Sequence, residues 1–141
     1  MDKFAMIIFG ASGDLTKRKL MPALYSLYRE KRLTGEYSIL GIGRTVYSDD
    51  NYRSYILEEL QQFVKSEEQD TALMASFVSH LYYLPMDPAK EEGYPQLRQR
   101  LVELTNEVDP DNLLFYLATP PSLYGVVPLY LKAAGLNTPH S

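Results

Sequence analysis

Continuous apolar runs alternate along the chain with stretches in which apolar residues recur at helical spacing. Phe4-Ala5-Met6-Ile7-Ile8-Phe9 has no polar break and is bounded by Gly10, which predicts a strand buried on both faces, as in a parallel sheet. Leu20, Leu24, Leu27 and Tyr28 then recur at helix spacing, with Lys17, Arg18, Lys19, Arg29, Glu30 and Lys31 on the other faces and Gly35 closing the segment. Proline is tolerated in a first helical turn but not deeper, so Pro22 predicts a turn over Leu15 to Leu20 that kinks into a helix from about Met21 to Lys31. Tyr37 to Gly43 reads as the second strand. Ser48 is placed to cap a helix opened by Asp49 and Asp50, whose stripe is Tyr52, Ile56, Leu60 and Phe63. After an interruption at Ser66-Glu67-Glu68-Gln69 a short helical piece covers Ala72 to Val78. Leu81 to Leu84 is a third strand ending at Pro85, and a helix from about Tyr94 to Glu107 buries Leu97, Leu101 and Leu104. Asp109-Pro110-Asp111-Asn112 is a turn by composition. Leu113 to Ala118 is again fully apolar, and a last helix, Leu123 to Ala134 with Gly135 past its end, carries Pro128 in its middle and is expected to bend there.

Strands alternating with helices argue for one α/β domain over residues 1–141, a Rossmann-like doubly wound parallel sheet with right-handed crossovers. The composition changes this picture only by exclusion. The chain has no cysteine, which removes disulfides, thiolate metal sites and thiol nucleophiles and fits a reducing cytoplasm. With 14 Lys and Arg against 18 Asp and Glu the net charge is -4, so there is no general polyanion-binding field and nucleic acid is not an expected partner. The apolar start is too short to span a bilayer and has no small-residue cleavage site, so no membrane partner is expected. No metal is implied.

Gly10-Ala11-Ser12-Gly13-Asp14-Leu15-Thr16 lies between the first buried strand and the first helix, where a doubly wound fold binds phosphates. Gly10 permits the tight turn, Gly13 lets backbone N–H groups approach a pyrophosphate, and Ser12 and Thr16 are small enough not to block it. Against the G-x-G-x-x-G pattern, Ser12 stands at the second glycine and Leu15 at the third; no Gly-Lys-Ser/Thr follows, which excludes a Walker A loop. A plain strand-to-helix turn is the alternative. At the end of the second strand, where NAD proteins carry an acidic residue for the ribose, stands Arg44 with Thr45 beside it. A guanidinium fork suits a 2′-phosphate, so NADP is favoured over NAD. The alternative for Arg44 is a surface ion pair with Asp49 or Asp50.

Gly10 to Leu20, reading Gly-Ala-Ser-Gly-Asp-Leu-Thr-Lys-Arg-Lys-Leu, resembles the signature of glucose-6-phosphate dehydrogenases. Gly41-Ile42-Gly43-Arg44 resembles that family's end of strand two, and Phe115-Tyr116-Leu117-Ala118-Thr119-Pro120-Pro121 with Tyr124 resembles its fourth strand and the helix after it. The resemblance implies oxidation of C1 of glucose 6-phosphate to 6-phosphogluconolactone with hydride transfer to NADP, as in the pentose phosphate pathway. It implies coenzyme contacts from Gly10, Ser12, Gly13, Asp14 and Leu15, from Arg44 and Thr45 at the 2′-phosphate, and from Ala118, Thr119 and Pro120 under the nicotinamide, where the bond before the first proline is cis in the family. Tyr83 and Tyr124 match aromatic positions near that pocket, although Pro85-Met86-Asp87 departs from the glycine often found before that aspartate. Lys19 matches a family lysine where coenzyme and sugar phosphate meet.

The family's second lysine motif and its catalytic His and Asp pair have no match here. His80 and His140, the two histidines, lack the surroundings of a general base. The chain is therefore expected to be the front piece of a longer dehydrogenase, inactive by itself and self-associating through faces a second domain would cover. A stand-alone NADP-binding regulatory module without catalysis is the alternative, and a protein-interaction domain with an empty nucleotide loop is a third reading. Fold by itself does not choose among them.

Overall fold

The computed structural model describes residues 4–33, 36–106 and 108–136. Four parallel strands, β1 (Phe4–Phe9), β2 (Tyr37–Gly43), β3 (Leu81–Pro85) and β4 (Leu113–Leu117), form one sheet in the order β3-β2-β1-β4. Helix α1 (Met21–Arg29) joins β1 to β2, α2 (Asp49–Phe63) and α3 (Thr71–Val78) join β2 to β3, α4 (Tyr94–Thr105) joins β3 to β4, and α5 (Val126–Ala133) follows β4. The chain steps outward from β1 to β3 and then returns to pair β4 with the free side of β1, a reversal that puts helices on both faces. The fold is α/β and doubly wound, as the alternation predicts.

Residues of β1 pair with β2 from Phe4 opposite Tyr37 to Phe9 opposite Ile42, and with β4 from Ala5 opposite Leu113 to Phe9 opposite Leu117. Successive side chains of a strand point to opposite faces. Met6 and Ile8 enter a core with Tyr25, Tyr52, Ile56 and Phe77, whereas Ala5, Ile7 and Phe9 enter another with Tyr94, Leu97, Leu101, Val127 and Leu131. The unbroken apolar run of β1 is thus required by two cores at once, each large side chain contributing roughly 1.5–3 kcal/mol on burial.

The helix boundaries follow local chemistry. Ser48 accepts a hydrogen bond from the N–H of Asn51 at 3.1 Å, capping α2 as expected. Thr16–Leu20 forms a π-helical turn ahead of α1, closed by the Met21 N–H on the carbonyl of Thr16. Pro22 has no N–H for the carbonyl of Arg18 and its ring crowds that oxygen, so the turn before it widens. Helix α1 ends at Arg29, two residues before the Lys31 expected, and Gly35 lies outside the described residues. Lys31 takes φ +63° there, and the N–H of Arg32 returns to the carbonyl of Leu27 at 2.8 Å.

β4 is also apolar and is an edge strand whose even-numbered side chains face outward, Leu114 at 58% exposure, in line with the uncovered faces expected at this end of the chain. One expectation is corrected. The last helix begins at Val126, after a 3₁₀ turn over Pro121–Leu123, which puts Pro128 in its first turn, where the missing N–H breaks nothing. At the other end Gly135, at φ +72°, closes α5 as expected, with the N–H of Leu136 on the carbonyl of Leu131.

Candidate coenzyme site

The loop after β1 is held from several sides. Gly10 has φ +89°, and a Cβ there would run into the carbonyl of Ala118 at the end of β4, so both its conformation and its lack of a side chain are required. The N–H groups of Gly10 and Ala11 donate to the carbonyl of Ile42 at 2.9 and 3.0 Å. Thr16, fully buried, donates its hydroxyl to the carbonyl of Gly10 at 2.9 Å, and the buried phenol of Tyr52 donates to the carbonyl of Ala11 at 2.9 Å. A Cβ added to Gly13 would meet within the protein just the carbonyl oxygen of Gly10, at 3.2 Å. The space beyond it belongs to a cleft.

That cleft, about 690 Å³, opens at the carboxyl ends of the strands, where doubly wound sheets bind ligands. Gly10, Ser12 and Gly13 form one wall, Gly43, Arg44 and Thr45 the end of β2, Asp87, Pro88 and Ala89 the segment after β3, and Ala118, Thr119, Pro120, Ser122 and Leu123 the segment after β4. Of the residues singled out in the sequence, Gly10, Ser12, Gly13, Arg44, Thr45, Ala118, Thr119 and Pro120 are brought together here. Others are not on its wall. Asp14 is exposed and ion-paired with Arg18 at 2.7 Å, Leu15 is 48% exposed, Lys19 is exposed on the π-helical turn, and Tyr124 is 50% exposed. Tyr83 is buried, and its phenol donates to the carbonyl of Thr45 at 2.5 Å.

Arg44 is exposed at the rim and, among the described residues, has no hydrogen-bond or ion-pair partner. The acids considered for it are taken: Asp49 binds Arg100, and Asp50 lies 3.2 Å from Arg53. The surface-pair alternative is therefore set aside. Thr119 Oγ1 is buried without a hydrogen-bond partner on the cleft wall. A buried hydroxyl left unpaired costs about 1–3 kcal/mol, a cost that a polar ligand atom at this wall would remove. Together with the space above Gly13 and the free guanidinium, this hydroxyl makes the residues present fit a phosphate-bearing dinucleotide.

The bond before Pro120 is trans, as are all peptide bonds of the described residues, unlike the cis bond that the family carries there. Trans is the lower-energy isomer of a prolyl bond by about 0.5–1 kcal/mol, and Pro120 at φ −57° leads directly into the following 3₁₀ turn. His80 stacks on Tyr37 with ring centroids 4.1 Å apart and is no part of the cleft; His140 lies outside the described residues. Pro88, Ala89, Ser122 and Leu123 join the wall without a motif of their own; like Gly43, which ends β2, and Asp87, they stand at or just past the carboxyl end of a strand.

Comparison with known proteins agrees with this geometry. The family described as glucose-6-phosphate dehydrogenase, NAD binding domain, matches residues 7–141. The glucose-6-phosphate 1-dehydrogenase of Aggregatibacter actinomycetemcomitans is 45% identical over 133 residues, covering 94% of this chain and 26% of that protein. The Bacillus subtilis enzyme is 35% identical over 138 residues, covering 96% and 27%. A solved glucose-6-phosphate dehydrogenase in complex with its substrate glucose-6-phosphate superposes with a TM-score of 0.81 at 36% identity, covering 98% of this chain and 28% of that one. The chain spans about a quarter of the length of the curated relatives it matches. With a doubly wound sheet, a glycine loop at its switch point and this match along nearly its whole length, the chain belongs to the glucose-6-phosphate dehydrogenase family, of which it is the nicotinamide-dinucleotide binding domain.

Proposed function

We propose that the cleft takes NADP in preference to NAD, and that the chain is the coenzyme domain of an enzyme that oxidises C1 of glucose 6-phosphate. The observation that carries the coenzyme preference is Arg44, a cation at the end of β2 with no acidic partner among the described residues. A 2′-phosphate there would gain a charge-assisted, bidentate contact that NAD cannot offer. Thr45 adds a hydroxyl beside it. The backbone of Gly10 to Gly13 would receive the pyrophosphate near the start of the helical segment, and the Thr119 hydroxyl would gain its missing partner. Bound NADP would supply the hydride acceptor.

The described residues lining the cleft include two titratable side chains, Arg44 and Asp87. The guanidinium does not deprotonate, and Asp87 Oδ1 accepts the N–H of Ala89 at 2.9 Å. Among the described residues none is assigned as the base for the sugar hydroxyl, and Lys19, exposed near the glycine loop, is assigned to the sugar phosphate. Among the described residues no helix is long and apolar enough to cross a membrane, and the cytoplasm is the compartment proposed.

Calorimetric titration tests this reading. Wild-type chain is expected to bind NADP more tightly than NAD, and Arg44→Asp to weaken NADP far more than NAD, because it replaces attraction by repulsion at the one group that distinguishes them. Equal losses would remove the Arg44 assignment. Gly13→Val is expected to abolish binding of both while the circular dichroism of the fold persists; unchanged affinity would make the loop a mere turn. Glucose 6-phosphate with NADP is expected to give no NADPH on this 141-residue chain, and turnover at an enzymatic rate would place the base within it.

A further inference from the structure

Tyr83 lies behind the cleft rather than on its wall, and its position is fixed at every point. Its N–H donates to Asp49 Oδ1 at 2.8 Å. Its ring is edge-on to Tyr47 at 5.3 Å and tilted against Tyr52 at 4.8 Å. Its hydroxyl reaches past the end of β2 to the carbonyl of Thr45. It passes there because residue 43 is glycine: a Cβ on Gly43 would stand 2.6 Å from the phenol oxygen and 3.2 Å from Ser12 Oγ. Ser12 in turn contacts Thr45 Oγ1 at 3.4 Å, a long bond that joins the glycine loop to the same residue. Burial pushes the Tyr83 phenol up to about 12, with a hydrogen bond to Ser12 acting the other way, so the group stays protonated and can donate its hydrogen bond at neutral pH.

Resting on the reading of Arg44 as the group that recognises a 2′-phosphate, we infer that Tyr83 is a positioning residue for coenzyme selectivity, holding the carbonyl of Thr45 so that the Arg44 segment is already in place when the phosphate arrives. Arg44, Thr45 and Val46 are all exposed, Val46 at 80%, so packing does not order them. An exposed segment that must be ordered on binding spends part of the contact energy on lost freedom, and a tether in the free protein removes that cost. The tether touches the segment that meets the 2′-phosphate and not the wall that receives the nicotinamide. Its removal therefore falls on NADP and much less on NAD. Tyr52 is the matching tether on the other loop, where its bond to the carbonyl of Ala11 serves the pyrophosphate common to both coenzymes.

The test is a double-variant cycle read as the ratio of NADP to NAD affinity, measured by titration calorimetry on the full chain for wild type, Tyr83→Phe, Arg44→Ala and the pair. Tyr83→Phe is expected to lower NADP affinity about five- to tenfold, the size of one hydrogen bond, with a clearly smaller change for NAD. In the Arg44→Ala background it is expected to leave the ratio where Arg44→Ala has already put it, because its effect runs through that side chain. Equal losses for the two coenzymes, or a full further fall of the ratio in the pair, would overturn the inference. If Arg44→Ala collapses the ratio while Tyr83→Phe leaves it unchanged, the inference fails and the reading of Arg44 stands; if Arg44→Ala leaves the ratio unchanged, both fall. Should Tyr83→Phe not fold, Gly43→Ala displaces the phenol from the opposite side and is expected to lower the ratio in the same direction, and an unchanged ratio there overturns the inference equally.

Discussion

The two edges of the sheet are finished in opposite ways. β3 and β4 are five residues each and almost wholly apolar, Leu-Tyr-Tyr-Leu-Pro and Leu-Leu-Phe-Tyr-Leu. Along the outer side of β3, the carbonyl of Leu81 receives Arg53 Nε at 2.7 Å and the N–H of Tyr83 is taken by Asp49. The Tyr82 ring lies under two guanidiniums, Arg53 at 4.8 Å and Arg100 at 5.6 Å, and Arg100 returns to Asp49. Charged side chains from α2 and α4 have thus occupied the positions a further strand would use. No side-chain bond of this kind reaches the outer edge of β4 among the described residues. Leu114 and Tyr116 face outward, and beside α5 runs an apolar groove of about 370 Å³ lined by residues including Leu113, Phe115, Val127 and Leu131. Two strands of the same length differ in what the helices around them present. An edge is closed by its neighbours, not by its own sequence.

The largest effect expected is at alkaline pH, and it draws on both halves. Burial holds the phenols of Tyr83 and Tyr37 up at about 12 and those of Tyr52 and, in the other core, Tyr94 well above their usual value. Unfolded tyrosines ionise near 10 whereas these stay protonated in the fold, so their contribution is complete below pH 10 and is lost as the pH rises from about 10 toward 12. Urea unfolding between pH 8 and 12 is expected to show that fall, and a flat profile would deny that these rings are sealed.

Next in size is Asp49→Ala, which leaves the Tyr83 N–H and the half-buried Arg100 without their acceptor. A loss of about 2–3 kcal/mol in urea unfolding is expected, and a loss under about 0.5 kcal/mol, within the range of an ordinary surface substitution, would show that the edge closure adds little. Arg53→Ala removes one charged hydrogen bond and a cation–π contact, and about 1–2 kcal/mol should disappear by the same measurement. On the other edge Leu114→Lys removes apolar surface without breaking a contact. Its stability should stay within about 0.5 kcal/mol of wild type, while light scattering records less self-association. A wild-type chain that is monomeric at high concentration would mean that the open edge is not sticky.

Chain-local chemistry was legible in advance. The bounds of β1 and β2, the Ser48 cap, the glycine loop and the Gly135 stop are each set by a few neighbouring residues, whose pattern is the same read along the chain as seen in the fold. Arg44 could be assigned to the end of a strand by the same reasoning. Its lack of an acidic partner could not, because that depends on Arg100 arriving from α4 to claim Asp49, beside the local i,i+3 pair of Arg53 with Asp50 within α2.

The amino-acid order by itself determined an alternating α/β chain with a phosphate-suited loop after its first strand, since hydrophobic period and glycine placement act over one or two turns of backbone. The tertiary structure alone decided which apolar strand became an edge, which walls completed the cleft, and that Tyr83 tethers Thr45 from behind rather than lining the site. Those outcomes join residues dozens of positions apart, and sheet order, which sets them, is a property of how β1 is shared between β2 and β4 rather than of any segment read alone.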